Sequence, residues 1–168
     1  MKENYRPGFI YTVEHIGVDG KIKSVEKIHN LMPTPAVDYL LNAAFMGGSA
    51  YSTWYLSLFD NNRTPLAADT MTTFLADCGE DTVYTVVGGA RPTISFPPVS
   101  AGVLTTVASP NELAFASAST VRGAFVTTGV TRGGTTGLLC SAVLFSTAKV
   151  LDAGESLRVP VGFALISA

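Results

Sequence analysis

The only imidazole groups of this chain are His15 and His29. Catalysis by a serine or cysteine nucleophile needs such a base within hydrogen-bond reach of the nucleophile. Both histidines fall within the first 30 residues, and no Gly-x-Ser-x-Gly segment accompanies them. Their spacing also matches no compact metal-ligand motif. We therefore interpret both as surface strand residues, and we expect no catalytic residues, no metal and no cofactor.

One tight acidic group, Asp77, Glu80 and Asp81, could supply paired carboxylates for acid–base chemistry. These residues stand in the segment Ala-Asp-Cys-Gly-Glu-Asp-Thr, whose composition is typical of a turn. We interpret them as solvated turn carboxylates, and we expect the protein not to be an enzyme.

A second oxygen-rich segment contains Asp60, Asn61, Asn62 and Asp69. Carboxylate and amide oxygens are the ligands that calcium prefers. The segment lacks the ligand periodicity and the terminal glutamate of an EF-hand, so whether it binds an ion stays open at this point.

The charge balance argues against polyanionic partners. Eleven Lys and Arg face 13 Asp and Glu, a net charge of -2, which provides no electrostatic attraction to nucleic acid or to an anionic membrane. No run of 18 apolar residues occurs, and Met1 to Gly8 lack a signal-peptide core, so we expect synthesis in the cytoplasm. Only 14% of residues are charged, which indicates that much of the surface contacts protein in an assembly.

The amino-terminal sequence predicts an arm followed by a β-hairpin. Phe9 to His15 alternate with the period of a half-buried strand, Asp19-Gly20 marks a turn, and Lys21 to Ile28 form the returning strand. We place this arm and hairpin at residues 1–30, and a β-sandwich at residues 31–168, within one structural domain.

One helix is predicted near residues 35–46. Thr34 is a candidate N-cap, Pro35 suits the first helical position, and Gly47-Gly48 ends the run. An apolar stripe should pack against a sheet; its members are Val37, Leu40, Leu41, Ala44 and Phe45.

Beyond residue 51, short β-branched and aromatic runs alternate with turn residues, which predicts a mainly β, antiparallel sandwich, jelly-roll-like in architecture. The expected strands are 54–59, 83–87, 103–108, 112–115, 121–128, 138–145 and 156–166. Pro160 cannot donate a ladder hydrogen bond, which indicates an edge or a bulge there. Cys78 and Cys140 lie in or beside apolar segments, so we expect them buried and reduced.

The strand at 138–145 is apolar on both faces, whereas a sandwich strand normally has one wet face. Either the predicted helix covers its second face, or a subunit interface does. We assign the oligomer interface to Leu138, Leu139, Val143 and Phe145, and we expect a homo-oligomer, with a trimer preferred to a dimer.

Several segments occur in an order that resembles small virion proteins of tailed bacteriophages. The segments are 52–65 (STWYLSLFDNNRTP), 67–70 (AADT), 91–92 (RP), 109–115 (SPNELAF), 121–125 (VRGAF) and 133–139 (GGTTGLL), preceded by the helix ending in Gly47-Gly48. The resemblance covers residues 31 to 166.

This resemblance implies a non-enzymatic head decoration or cement protein that binds and stabilises the outer surface of the major capsid lattice, and hence a virion location. The alternative is a tail, baseplate or fibre-associated protein with possible host-glycan binding. The arm either reaches the capsid or a neighbouring subunit, with Tyr5 and Arg6 as its contact residues, or is a frayed terminus.

Overall fold

A computed structural model describes residues 8–30, 32–85 and 89–164. It confirms a mainly β fold, with 43% strand and 14% helix. The elements of the described residues are β1 (Phe9–Ile16), β2 (Ile22–His29), α1 (Thr34–Phe45), β3 (Trp54–Phe59), α2 (Met71–Cys78), β4 (Thr93–Ile94), β5 (Val103–Thr105), β6 (Asn111–Ala114), β7 (Ser119–Thr127), β8 (Leu139–Leu151), β9 (Ser156–Val159) and β10 (Val161–Ala164).

The first sheet is built around β1, which pairs with β2 on one side and with both β9 and β10 on the other. The pairing is interrupted only at Pro160, whose carbonyl accepts the Thr12 N–H at 3.0 Å. On the far side, β6 pairs with β9 and β5 with β10. Between them the Thr106 hydroxyl accepts the Val161 N–H at 2.9 Å. The strand does break at Pro160, but the predicted edge position is wrong, because β1 lies on one side of β9 and β10 and β6 and β5 lie on the other. The hairpin is an integral part of the sandwich.

The second sheet has the order β4-β3-β7-β8, and it faces the first across one core. Alternating residues such as Tyr11, Leu56, Val126 and Val159 point into this core. The sandwich prediction is thus confirmed, and the finer comparison with a jelly roll stays a prediction.

The first helix lies where the sequence places it, but its contacts are fewer than expected. Pro33 rather than Thr34 is the N-cap residue, and no side chain caps the helix. Ala36 is buried, and Val37 and Leu40 pack on the core. The rest of the predicted stripe does not pack against a sheet, since Leu41 and Phe45 are exposed.

The second helix, α2, was not predicted. Thr70 caps it in a reciprocal capping box with Thr73. Phe74 and other side chains of α2 form a second core on the outer face of the second sheet. They pack there against Phe59, Phe125 and Leu139. The second face of β8 is therefore covered inside the chain, by α2 rather than by α1.

The free side of β8, the last strand in its sheet, is met by a side chain from the other sheet. Glu26 of β2 accepts the Ser146 N–H at 2.7 Å and the Lys149 ammonium at 2.7 Å. This ion pair links the two sheets along one side of the sandwich.

Gly123 marks the closest approach of β7 to its neighbours. A Cβ atom there would lie 2.1 Å from Phe59 Cζ and 2.3 Å from the Val143 carbonyl oxygen. Because both contacts involve packed groups, Gly123→Ala should lower the free energy of unfolding by about 3 kcal/mol. The measurement is urea denaturation, with Gly162→Ala as control, since its Cβ would meet nothing closer than 3.4 Å. Equal stability of the two variants would contradict this packing.

Candidate functional site

Arg91 is the largest fully buried side chain of the described residues, and it pairs with Glu80; their side chains are 0% and 2% exposed. Arg91 Nε donates to Glu80 Oε1 at 2.8 Å, and Nη2 donates to Oε2 at 2.7 Å. The guanidinium also donates to the carbonyls of Gly129, at 2.8 Å, and Gly134, at 2.9 Å. This ion pair therefore joins the segment after α2 to the loop between β7 and β8.

Further donors occupy Glu80. The Ser57 hydroxyl and the Gly133 N–H both donate to its carboxylate, and Tyr84 Oη lies 2.7 Å from Ser57 Oγ. Burial raises the pKa of Tyr84 to about 12, against the smaller lowering effect of the Ser57 hydrogen bond. Arg132 stacks over the Tyr84 ring at 4.2 Å. With these partners in place, the carboxylate acts as a structural acceptor.

The interpretation of the acidic group as solvated turn carboxylates is wrong for two of its members. The Glu80 side chain is 2% exposed and Asp81 is buried, whereas the Asp77 side chain is 59% exposed. Asp81 accepts hydrogen bonds from the Val83 N–H and the Ser119 hydroxyl. Asp77 lies in the last turn of α2 rather than in a separate turn, and the residues that follow are desolvated because they pair with β3 and bond to β7.

The oxygen-rich segment is organised by an arginine. Arg63 forms a bidentate pair with Asp69, whose carboxylate also accepts the Leu66 N–H at 2.7 Å. Burial acts to raise the pKa of Asp69, but the Arg63 and Leu66 hydrogen bonds outweigh it, and the pKa is lowered. Among the described residues, no group of three or more His, Cys, Asp or Glu side chains could hold a metal ion. The Asp69 carboxylate thus accepts the Arg63 guanidinium. Asp60 and Asn61 lie beside the end of α2.

The prediction that both histidines are surface residues is confirmed for His29 and wrong for His15. His15 is buried, with Nε2 2.8 Å from Glu155 Oε2. Lys23 donates to the other oxygen, and the Asp152 N–H donates at 3.0 Å. The Lys23 hydrogen bond, then the Asp152 N–H and His15, lower the pKa of Glu155 to about 2. This cluster fixes the turn between β8 and β9 to the first hairpin.

Three of the four residues assigned to the oligomer interface are buried within the chain. Leu139 faces α2, Val143 and Phe145 face the main core, and Leu138 is half-buried against that core. Their apolar faces need no second subunit, so the argument that assigned them to an interface no longer applies. The homo-oligomer stays a prediction and requires another surface.

The two residues predicted to anchor the arm, Tyr5 and Arg6, lie outside the described residues, and their role stays a prediction. Cys78 and Cys140 are free and buried, as predicted. Burial raises the pKa of the Cys140 thiol to about 12 and that of Cys78 to about 11, which disfavours the nucleophilic thiolate at neutral pH.

An apolar cleft opens between α1 and the two sheets, with a volume of about 340 Å³. We call it the end cleft; it is lined by Phe9, Leu40, Trp54, Phe96, Val99, Gly102, Leu104, Cys140 and Phe163. Most of this lining comes from three stretches without a charged residue or histidine, 39–59, 92–111 and 133–148. Sequence analysis missed the cleft, and the coincidence of these charge-free stretches was the available signal.

Comparison with known proteins gives no match to a family model and no significant match to a curated protein. Among the described residues, neither helix is long and apolar enough to span a bilayer.

Removal of Arg91 tests whether the buried ion pair holds the loops together. Arg91→Met leaves Glu80 buried without its cation and should lower the free energy of unfolding by about 3–5 kcal/mol. Arg158→Met is the control, because Arg158 pairs with Glu14 and Glu112 in a more exposed setting, where the expected loss is about 1 kcal/mol or less. Denaturation of both variants, with Glu80→Gln and the double variant, gives the coupling energy. Additive losses would show that the pair does not act as a unit.

Acid should weaken the Glu155 cluster. The pKa of Glu155 is about 2 in the folded chain against an ordinary 4.5, so the unfolded chain takes up this proton first as the pH falls. The stabilisation is complete above about pH 5 and is lost between pH 4.5 and about 2. Glu155→Gln should be less stable than wild type at pH 7 and should lose less stability from pH 5 to 2. Thermal unfolding against pH measures this, with the exposed Asp38→Asn as control; parallel profiles for wild type and Glu155→Gln would contradict it.

Proposed function

We propose that this chain is a non-enzymatic structural protein of a tailed-bacteriophage virion, and that it serves as a capsid decoration or cement protein on the outer surface of the major capsid lattice. The proposal rests first on the resemblance of its ordered motifs to small virion proteins of these phages. Structural contacts between those motifs add support.

The observation that carries the proposal is that separate motifs of the resemblance meet in the folded chain. Arg91 of the Arg-Pro motif donates to the carbonyl of Gly134 in the motif at 133–139. Arg63 and Asp69, from the motifs at 52–65 and 67–70, form the second bidentate pair. Four of the motifs therefore supply the partners of two separate loop contacts.

The use of the polar side chains also favours a structural role. Glu80, Arg91, Asp69 and Glu155 all bind groups within the chain and hold loops in place. A protein fixed in many copies to a large lattice needs rigid loops and repeated modest interfaces, and multivalency supplies the overall affinity.

Copy number in the virion tests this proposal. Quantitative mass spectrometry of purified particles should give this protein on the order of the abundance of the major capsid protein, because a decoration protein occupies repeated lattice sites. Purified protein added to particles that lack it should restore this occupancy and raise the temperature at which the capsids open.

A far lower copy number would contradict the capsid assignment and favour the tail or baseplate alternative. In that case, binding of the purified protein to host glycans is the measurement that follows. Absence from particles would overturn the virion proposal as a whole.

A further inference from the structure

The two most exposed large apolar side chains of the described residues are neighbours at the end of α1. Phe45 is 79% exposed and Met46 is 77% exposed; we call them the helix-end pair. The turn that follows is well fixed, since Gly47 adopts a φ of 68° and the Gly48 N–H donates to the Asn42 carbonyl at 3.0 Å. The chain thus presents two large apolar groups to solvent in a preorganised position, which lowers the entropic cost of burying them against a partner.

The same chain carries a recess that suits such groups. The end cleft is lined almost wholly by aromatic and aliphatic side chains, among them Trp54, Phe96 and Phe163. Its outer rim includes Val99, which is 66% exposed. An apolar pocket of about 340 Å³ that stays open to water is a favourable site for an apolar anchor residue.

The helix-end pair cannot fill the cleft of its own chain. Leu40 points from α1 into the cleft lining. Phe45 lies five residues later, which turns it about 140° around the helix axis from Leu40. The projecting groups and the recess therefore face different directions, and they can meet only between two molecules.

We propose that this protein associates head to tail, with Phe45 and Met46 of one copy inserted into the end cleft of the next. Contact between a projection and a recess on different faces is heterologous, so it generates a closed ring or an open chain of copies. The surfaces suit each other electrostatically, because the helix-end pair and most of the cleft come from stretches without a charged residue or histidine. Insertion of the pair therefore places no charged side chain of these stretches in the cleft. This inference does not rest on the capsid assignment.

The test uses complementary variants. Phe45→Ser/Met46→Ser removes the projection, and Val99→Asp places a charge at the cleft rim; both changes are at exposed positions and should leave the fold intact. Light scattering and native mass spectrometry should show wild type as an oligomer and each variant as a monomer. Mixing the two variants should produce a one-to-one dimer, because an intact projection and an intact cleft then remain, one on each chain. Val18→Ser, an equally exposed apolar site in the first hairpin, is the control and should remain oligomeric.

Each other outcome overturns the proposal. A wild-type monomer at millimolar concentration would show that the contact does not form. Variants that stay monomeric when mixed would show that insertion of the helix-end pair into the cleft does not hold two copies together. Native mass spectrometry could instead show excess mass on wild type from a bound apolar small molecule. If the Val99→Asp variant lacked this excess mass, the cleft would be the site of that ligand.

Discussion

The segment after α2 and the loop between β7 and β8 depend on one desolvated ion pair. Arg91 and Glu80 are both removed from water, which is stabilising only when every donor and acceptor is satisfied. Ser57 from the second sheet, the Gly133 N–H and two backbone carbonyls complete that requirement. A charge buried in this way allows few alternative arrangements, so the segments on either side of it are positioned by the pair rather than by their own weak conformational preferences.

Much of the fold was readable from local patterns. The strand 54–59 was predicted at its observed limits, and α1 within one residue, because alternation and turn residues act locally. The second helix escaped notice, since it has only eight residues and its cap is a threonine at the end of a loop-like segment. β8 was recognised as apolar on both faces, yet only the fold reveals that α2 supplies the second cover.

Partners distant in sequence were the part that patterns could not supply. Nothing near Glu80 or Arg91 distinguishes them from solvated charges, because their burial results from chain segments that meet only after folding. The same holds for His15 and Glu155, which are 140 residues apart. The end cleft likewise assembles from five regions of sequence, although the missing charges in three of them could be counted beforehand.

The contact of Glu26 with β8 has a consequence for solubility. The outer strand of a sheet exposes unpaired N–H and C=O groups that can template pairing with another chain. Glu26 occupies the Ser146 N–H and brings Lys149 beside it, so the longest strand carries a carboxylate and an ammonium group along its open side. Edge-to-edge growth into fibrils would have to displace this pair and desolvate both charges. The open side of β8 is thereby protected against edge-to-edge aggregation.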